Sequence, residues 1–139
     1  MTYSSVQHEK TLANSKAFAF VIREYADLIE RGYADNELVF GNGSKVSYIL
    51  ATDGSVVAAS VWHIDETKRS AWILFSATKK QHQGQGLYTK LYNFIEDLCK
   101  KQNVVVIYSG VHVDNQKMID VAKSVGRIPS SYRIKKMLY

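Results

Sequence analysis

The chain has 139 residues, of which 46% are hydrophobic and 22% charged, enough for one compact domain over 1–139 and too little for two ordinary ones. Cys99 is the only cysteine, which excludes an intramolecular disulfide and a thiolate zinc site. No apolar run reaches the about 20 residues of a membrane-spanning helix, and the first residues lack the layout of a secretory signal, so a cytoplasmic protein without a membrane partner is expected. The net charge of +5 comes with lysines in short pairs (79 and 80, 100 and 101, 135 and 136) rather than in one run. That pattern argues against a nucleic-acid groove and leaves an anionic ligand, such as a nucleotide phosphate, or a solvated basic surface.

In chain order, residues 11–32 read as a helix, because Phe18, Val21, Ile22, Tyr25, Leu28 and Ile29 recur at three- and four-residue spacing and Gly32 is a natural stop. A polar stretch over 34–37 and a Gly-Asn-Gly-Ser turn at 41–44 come next. Residues 45–52 and 55–64 read as two strands joined by Asp53-Gly54, a hairpin signal in which both turn positions tolerate positive φ. A third strand spans 70–78, with Trp72, Ile73, Leu74 and Phe75, and completes an antiparallel meander.

The chain then becomes polar and glycine-bearing over 79–85. Residues 87–101 read as a helix whose buried face carries Leu87, Leu91, Ile95 and Leu98. The apolar run 104–108 reads as a strand buried on both faces. A short helix over 115–125, with Met118, Val121, Ala122 and Val125 inward, stops at Gly126, and residues 132–138 read as a last strand. An α+β fold is expected, a mixed sheet in which an antiparallel meander precedes a strand–helix–strand unit.

Chemistry concentrates in Thr78-Lys79-Lys80-Gln81-His82-Gln83-Gly84-Gln85-Gly86-Leu87-Tyr88. A helix N-terminus offers backbone N–H groups without internal partners and favours negative charge, and glycines let the chain curl around an anion. The turn is not a P-loop, since no Gly-Lys-Ser or Gly-Lys-Thr comes after it. With Thr89 at the third glycine position it is not a dinucleotide fingerprint either. By itself a Gly-x-Gly between strand and helix is equally consistent with a tight connection.

These residues resemble the GNAT superfamily of N-acetyltransferases, whose motif is Gln/Arg-x-x-Gly-x-Gly/Ala. Two registers fit. Gln81-His82-Gln83-Gly84-Gln85-Gly86 matches in full; Gln83-Gly84-Gln85-Gly86-Leu87-Tyr88 matches up to Tyr88, and is preferred because it places Leu87 and Leu91 where the family's helix buries its leucines. A second resemblance lies in Val111-His112-Val113-Asp114-Asn115, with Gly126 at the family's spacing beyond the Asn. The family's first strand, ahead of the first helix, is not visible.

The resemblance implies acetyl-CoA as cosubstrate. It places the pyrophosphate on the backbone of Gln83, Gly84, Gln85, Gly86, Leu87 and Tyr88, and the pantetheine arm on the strand edge at Ser76, Ala77 and Thr78. Asn115 is implied to help place that arm; intrinsically it is also a good helix N-cap. Many members carry a tyrosine general acid seven residues after the Asn, and here that residue is Ala122, while Arg127 replaces the usual Phe. Tyr132 and then Tyr108 are the substitute acids expected, with Ser109, His112, Asp114 and His63 as further polar groups near the strand ends. No metal site is expected, since the four histidines are scattered. The implied activity is direct acetyl transfer to an amine on a small molecule or a protein, and a homodimer is compatible with it. The alternative is a non-catalytic module of the same fold that binds CoA or a protein partner.

Overall fold

The computed structural model describes residues 2–33, 40–41, 43–111, 115–130, 136 and 138. Among these, five strands form one mixed sheet in the order β1-β2-β3-β4-β5: β1 Gln7–Glu9, β2 Lys45–Leu50, β3 Val56–Asp65, β4 Ser70–Thr78 and β5 Val106–Ser109. The first four are antiparallel neighbours and β5 runs parallel to β4. Three α-helices, α1 Phe18–Glu30, α2 Leu87–Lys101 and α3 Gln116–Ser124, accompany them.

The two faces of the sheet carry different helices. Phe20, Val21 and Tyr25 of α1 pack with Val46, Tyr48, Ala59, Val61 and Phe75. On the opposite face α2 lays Leu87, Leu91, Ile95 and Cys99 in a stripe of four-residue spacing over Ile49, Ala58, Trp62, Ala71 and Ile73. Each buried Leu or Ile contributes roughly 1.5–3 kcal/mol. α2 ends in a double backbone lock, Val104 N–H to the Cys99 carbonyl at 3.0 Å and Asn103 N–H to that of Lys100 at 3.4 Å. Asn103 takes the left-handed conformation there, at φ 61°, which asparagine tolerates better than most residues.

α2 and β4 have the limits expected from the sequence, and α3 occupies 116–124 between its expected caps. Four expectations change. The first helix begins at Phe18 rather than at 11, because the Glu9 carboxylate accepts from the Ser15 hydroxyl and the Lys16 N–H, and Ser15 Oγ from the Ala17 N–H. These bonds tie residues 15–17 back to β1. A strand does precede the first helix, β1. It left no apolar alternation because its inward side chains are polar, His8 meeting the Ser47 hydroxyl at 3.0 Å and the Trp62 ring at 5.6 Å. The β2–β3 turn is wider than two residues: Ala51 N–H bonds the Ser55 carbonyl at 2.9 Å, and of the Asp-Gly pair Gly54 alone has positive φ. β5 is half-buried along its length rather than buried on both faces, since among the described residues it has a strand neighbour on one side only. The strand expected at 132–138 falls, apart from residues 136 and 138, outside the described residues.

Candidate functional site

The parallel pairing of β4 with β5 runs from Ser70↔Val106 to Ile73↔Ser109 and ends there, although β4 continues to Thr78. At that point the antiparallel register with β3 also shifts: Val61 opposes Phe75 and Trp62 opposes Ile73, leaving Leu74 as an extra residue. Such a bulge bends its strand and re-aims the residues beyond it. Past Leu74, one edge of β4 has no strand neighbour among the described residues.

The ladder determines which groups line that edge. Lys79 N–H bonds the Val57 carbonyl at 2.8 Å. Backbone groups alternate sides along a strand, so Ala77 also faces β3, while Ser76 and Thr78 turn theirs toward the opened side. Of the three strand residues expected at the cofactor, Ser76 and Thr78 therefore offer backbone groups there. The Ser76 hydroxyl is engaged with Ser60 at 2.8 Å. The Thr78 carbonyl accepts from Gln83 Nε2 at 3.2 Å, and Gln83 Oε1 accepts from Lys117 Nζ at 2.6 Å. Gln83 thus links the end of β4, the turn and the first turn of α3.

The turn itself passes through a short 3-10 segment, Lys80–His82, then Gly84 at φ 79° and Gly86 at φ 75°. Gly86 is the N-cap of α2 and sits in the left-handed region with no side chain to close the helix end. The first N–H of α2 to find an acceptor is that of Lys90, on the Gly86 carbonyl at 3.1 Å. Among the described residues, the N–H groups of residues 84–89 have no acceptor. A Cβ placed on Gly84 or Gly86 meets no atom within 4 Å, so the space in front of both is open. Unsatisfied donors at a helix N-terminus, with open space before them, suit an anion such as a pyrophosphate.

Leu87 and Leu91 are buried, at 4% and 1% exposure, whichever of the two motif registers applies. Tyr88 has the position of that motif's small residue. Its hydroxyl lies 3.5 Å from an Arg127 amino group, whose guanidinium stands 5.6 Å over the Tyr92 ring. Asn115 caps α3, its Oδ1 accepting from the Met118 N–H at 3.3 Å. Its side-chain NH₂ has no partner among the described residues.

Of the polar candidates, Ser109 belongs to the last β4–β5 pair and Tyr108 to the one before. The Tyr108 ring stacks on Trp72 at 4.8 Å and 28°, and its hydroxyl has no hydrogen-bond partner among the described residues. His63 is the β3 neighbour of Trp72. Tyr132, His112 and Asp114 lie outside the described residues. Cys99 is buried on the inner face of α2, and burial pushes its thiol up to about 11, which withholds the thiolate needed of a nucleophile. The described residues hold no cluster of three metal-ligating side chains and no helix long and apolar enough to cross a membrane. The strand edge was expected only through the family resemblance, and the bulge was beyond sequence reading; both are properties of strand pairing, and neither Ile73 nor Leu74 signals them.

A search of curated proteins by sequence returns no match. Solved structures match over nearly the whole chain. An aminoglycoside acetyltransferase from an uncultured soil metagenomic sample, in complex with trehalose, is 14% identical with TM-score 0.75, over 99% of this chain and 95% of the other. A ribosomal-protein-alanine N-acetyltransferase from Brucella melitensis biovar Abortus 2308 is 13% identical with TM-score 0.72, over 97% and 100%. A tetramutant of a Bacillus halodurans protein is 17% identical with TM-score 0.75, over 96% and 99%. The likeness to these three is one of fold. The model of the Acetyltransferase (GNAT) family matches residues 11–126. With that match, the parted strands and the glycine turn in one fold, this chain belongs to the GNAT family of acetyltransferases.

Proposed function

We propose that this protein transfers the acetyl group of acetyl-CoA directly to an amine, in the cytoplasm. The observation that carries the reading is the row of unsatisfied N–H groups at 84–89 beside the opened edge of β4. The N–H groups of Gln85, Gly86, Leu87 and Tyr88 would hold the pyrophosphate, with Gln83 and Gly84 shaping the turn. Ser76 would pair with the pantetheine amides, Thr78 and Ala77 forming the strand around it. The side-chain amide of Asn115, without a partner among the described residues, would reach the same arm. Acetyl-CoA supplies the activated acyl carbon. Backbone donors on β4 just past the Leu74 bulge are suited to the developing oxyanion, a role worth several kcal/mol in other acyl transfers.

Direct transfer is favoured over an acetyl-enzyme because Cys99, the one thiol, is buried and held protonated. For the departing thiolate we assign the proton to Tyr108, whose hydroxyl has no partner among the described residues and which lies one pair before the strands separate; Tyr132 is the second candidate. An amine acceptor agrees with the N-acetyltransferase named among the similar structures.

A thermal-shift titration tests the cofactor: acetyl-CoA and CoA raise Tm, and NAD and ATP do so much less, since a ligand that binds only the folded state stabilises it. A flat response at millimolar CoA refutes the reading. Thiol release with an amine panel then tests turnover, and Tyr108→Phe lowers kcat at least tenfold if its hydroxyl is the acid. A second reading, a CoA-binding module without turnover, draws on Ala122 at the family's tyrosine position; it is the outcome if CoA binds and no amine is consumed.

A further inference from the structure

Three neighbouring strands carry His63, Trp72 and Tyr108 in a single row, because His63 pairs with Trp72 and Trp72 with Tyr108. The row is on the α1 face: Ala71 and Ile73, on either side of Trp72, pack with residues of α2, and successive strand residues alternate faces. β4 is an interior strand, yet Trp72 keeps 40% of its surface exposed. A large aromatic in mid-strand at that position is ordinarily covered. The next row on the same face holds Asp65 opposite Ser70. Ser70 is 3% exposed and its hydroxyl has no partner among the described residues. Among the described residues, the Asp65 carboxylate has as its one hydrogen-bond partner the Lys68 N–H, at 3.2 Å.

We propose that these two rows bind the acetyl acceptor, and that the acceptor is a small aliphatic compound with at least two amino groups. The inference rests on the acetyl-CoA reading and gives it a substrate class. The Trp72 row lies one pair before the strands part, so a group held on it is next to the edge where an acyl carbon would be presented. Aromatic faces attract cations through their quadrupole when the cation lies within about 6 Å. Asp65 adds a full negative charge, while the Ser70 hydroxyl opposite it is buried and takes no part in the contact. The rows contain no lysine or arginine although the chain carries +5 overall, and the Arg69 side chain beside them is turned to the Asn103 carbonyl at 3.0 Å. An anionic acceptor would find no counter-charge in them. One ammonium rests between Trp72 and Asp65, and the other amino group, deprotonated, attacks the thioester carbonyl. The C–N bond forms as the C–S bond breaks, the nitrogen loses a proton, and the CoA thiolate gains one.

Steady-state transfer to diaminobutane, butylamine and γ-aminobutyrate tests this, since the three share a four-carbon chain and differ in the group opposite the amine. The diamine is expected to exceed butylamine at least tenfold in kcat/KM and γ-aminobutyrate by more. Trp72→Ala is expected to raise KM for the diamine at least tenfold with unchanged acetyl-CoA affinity by calorimetry. Trp72→Phe, which keeps a ring, restores most of the loss, and Asp65→Asn narrows the gap between diamine and monoamine. Equal kcat/KM for the three amines overturns the proposal, as does a wild-type KM in Trp72→Ala or acetyl-CoA binding with no turnover of the diamine. Absence of acetyl-CoA binding to the wild-type protein would instead refute the cofactor reading, so the two failures are distinguishable.

Discussion

Replacing Gly86 by valine separates the two things this glycine does. The residue sits at φ 75° and ψ 15°, where a side chain other than hydrogen is strained by about 1–3 kcal/mol, a β-branched one at the upper end. No protein atom lies within 4 Å of the added Cβ, so steric clash within the fold adds nothing, and the expected cost is about 2–3 kcal/mol. For a domain of this size that lowers Tm by roughly 6–10 °C. Binding suffers more. The isopropyl group either stands in the open space before the α2 N-terminus or forces Gly86 out of the left-handed region, scattering the N–H groups of the first helical turn. Charge-assisted hydrogen bonds contribute about 1.5–3 kcal/mol each, so losing two weakens CoA by at least about a hundredfold, at 1.4 kcal/mol per decade. Gly32→Val is the control: Gly32 has φ 77°, equally free surroundings and a place at the far end of α1. It is expected to lose similar stability and no CoA affinity. Calorimetric titration of both variants, with circular dichroism to verify folding, decides. Equal affinity in Gly86→Val and wild type, or equal loss in both variants, would refute the reasoning.

Asn115→Asp keeps a helix cap but loses the side-chain NH₂, so it should leave Tm within about 1 °C and weaken CoA several-fold; Asn115→Ala should lose about 1 kcal/mol of stability as well. If the aspartate variant binds CoA normally, Asn115 is a cap and nothing more. Burial, with Lys45 second, lowers the His8 pKa below the ordinary 6.5. The unfolded chain therefore binds a proton before the folded one does, and stability present above about pH 6.5 declines as pH falls toward the lowered value. His8→Asn should flatten Tm over that interval; a wild-type Tm that is constant from pH 7.5 to 5.5, or one that falls equally in the variant, sinks the assignment.

Legibility in the sequence depended on whether a feature is local. The glycine turn was legible because positive φ at Gly84 and Gly86 is a demand on the residues themselves. α2 was legible to its ends because a stripe of buried Leu87, Leu91 and Ile95 begins at that glycine. β4 was bounded by polar turns on both sides. β1 was invisible because its inward residues are a histidine and a carboxylate satisfied by distant hydroxyls, Ser47 and Ser15. The early start expected for α1 failed for a related reason, since periodicity does not register the bonds between Glu9 and residues 15–16. Neither Ser76 nor Thr78 announces which way its backbone faces, and only the register with β3 assigns it. Trp72 read as one more apolar residue in a strand, and its exposure belongs to the sheet.

The departures from the family pattern are of two physical kinds. Tyr88 for a small residue and Arg127 for Phe form a single exchange: the Arg127 guanidinium meets the Tyr88 hydroxyl and lies over Tyr92, and the two tyrosine rings are 6.4 Å apart. A larger residue on the first turn of α2 is matched by a long, flat cation arriving from the end of α3. Arg127 is itself positioned by its N–H on the Ala122 carbonyl at 3.2 Å and by Gly126 at φ 87°. This exchange joins α3 to α2 through side chains and leaves the backbone N–H of Tyr88 without an acceptor, so it does not subtract from the anion site. Ala122 is another matter. Its carbonyl accepts from both Val125 and Arg127, but its methyl group has no proton to give, and the hydroxyl that α3 does carry, that of Ser124, donates to the Val121 carbonyl within the helix. If the proposed transfer uses a side-chain acid, that acid comes from another element. Tyr108, the residue proposed for it, would meet that requirement without moving α3, because it lies on β5 one pair before the strands part.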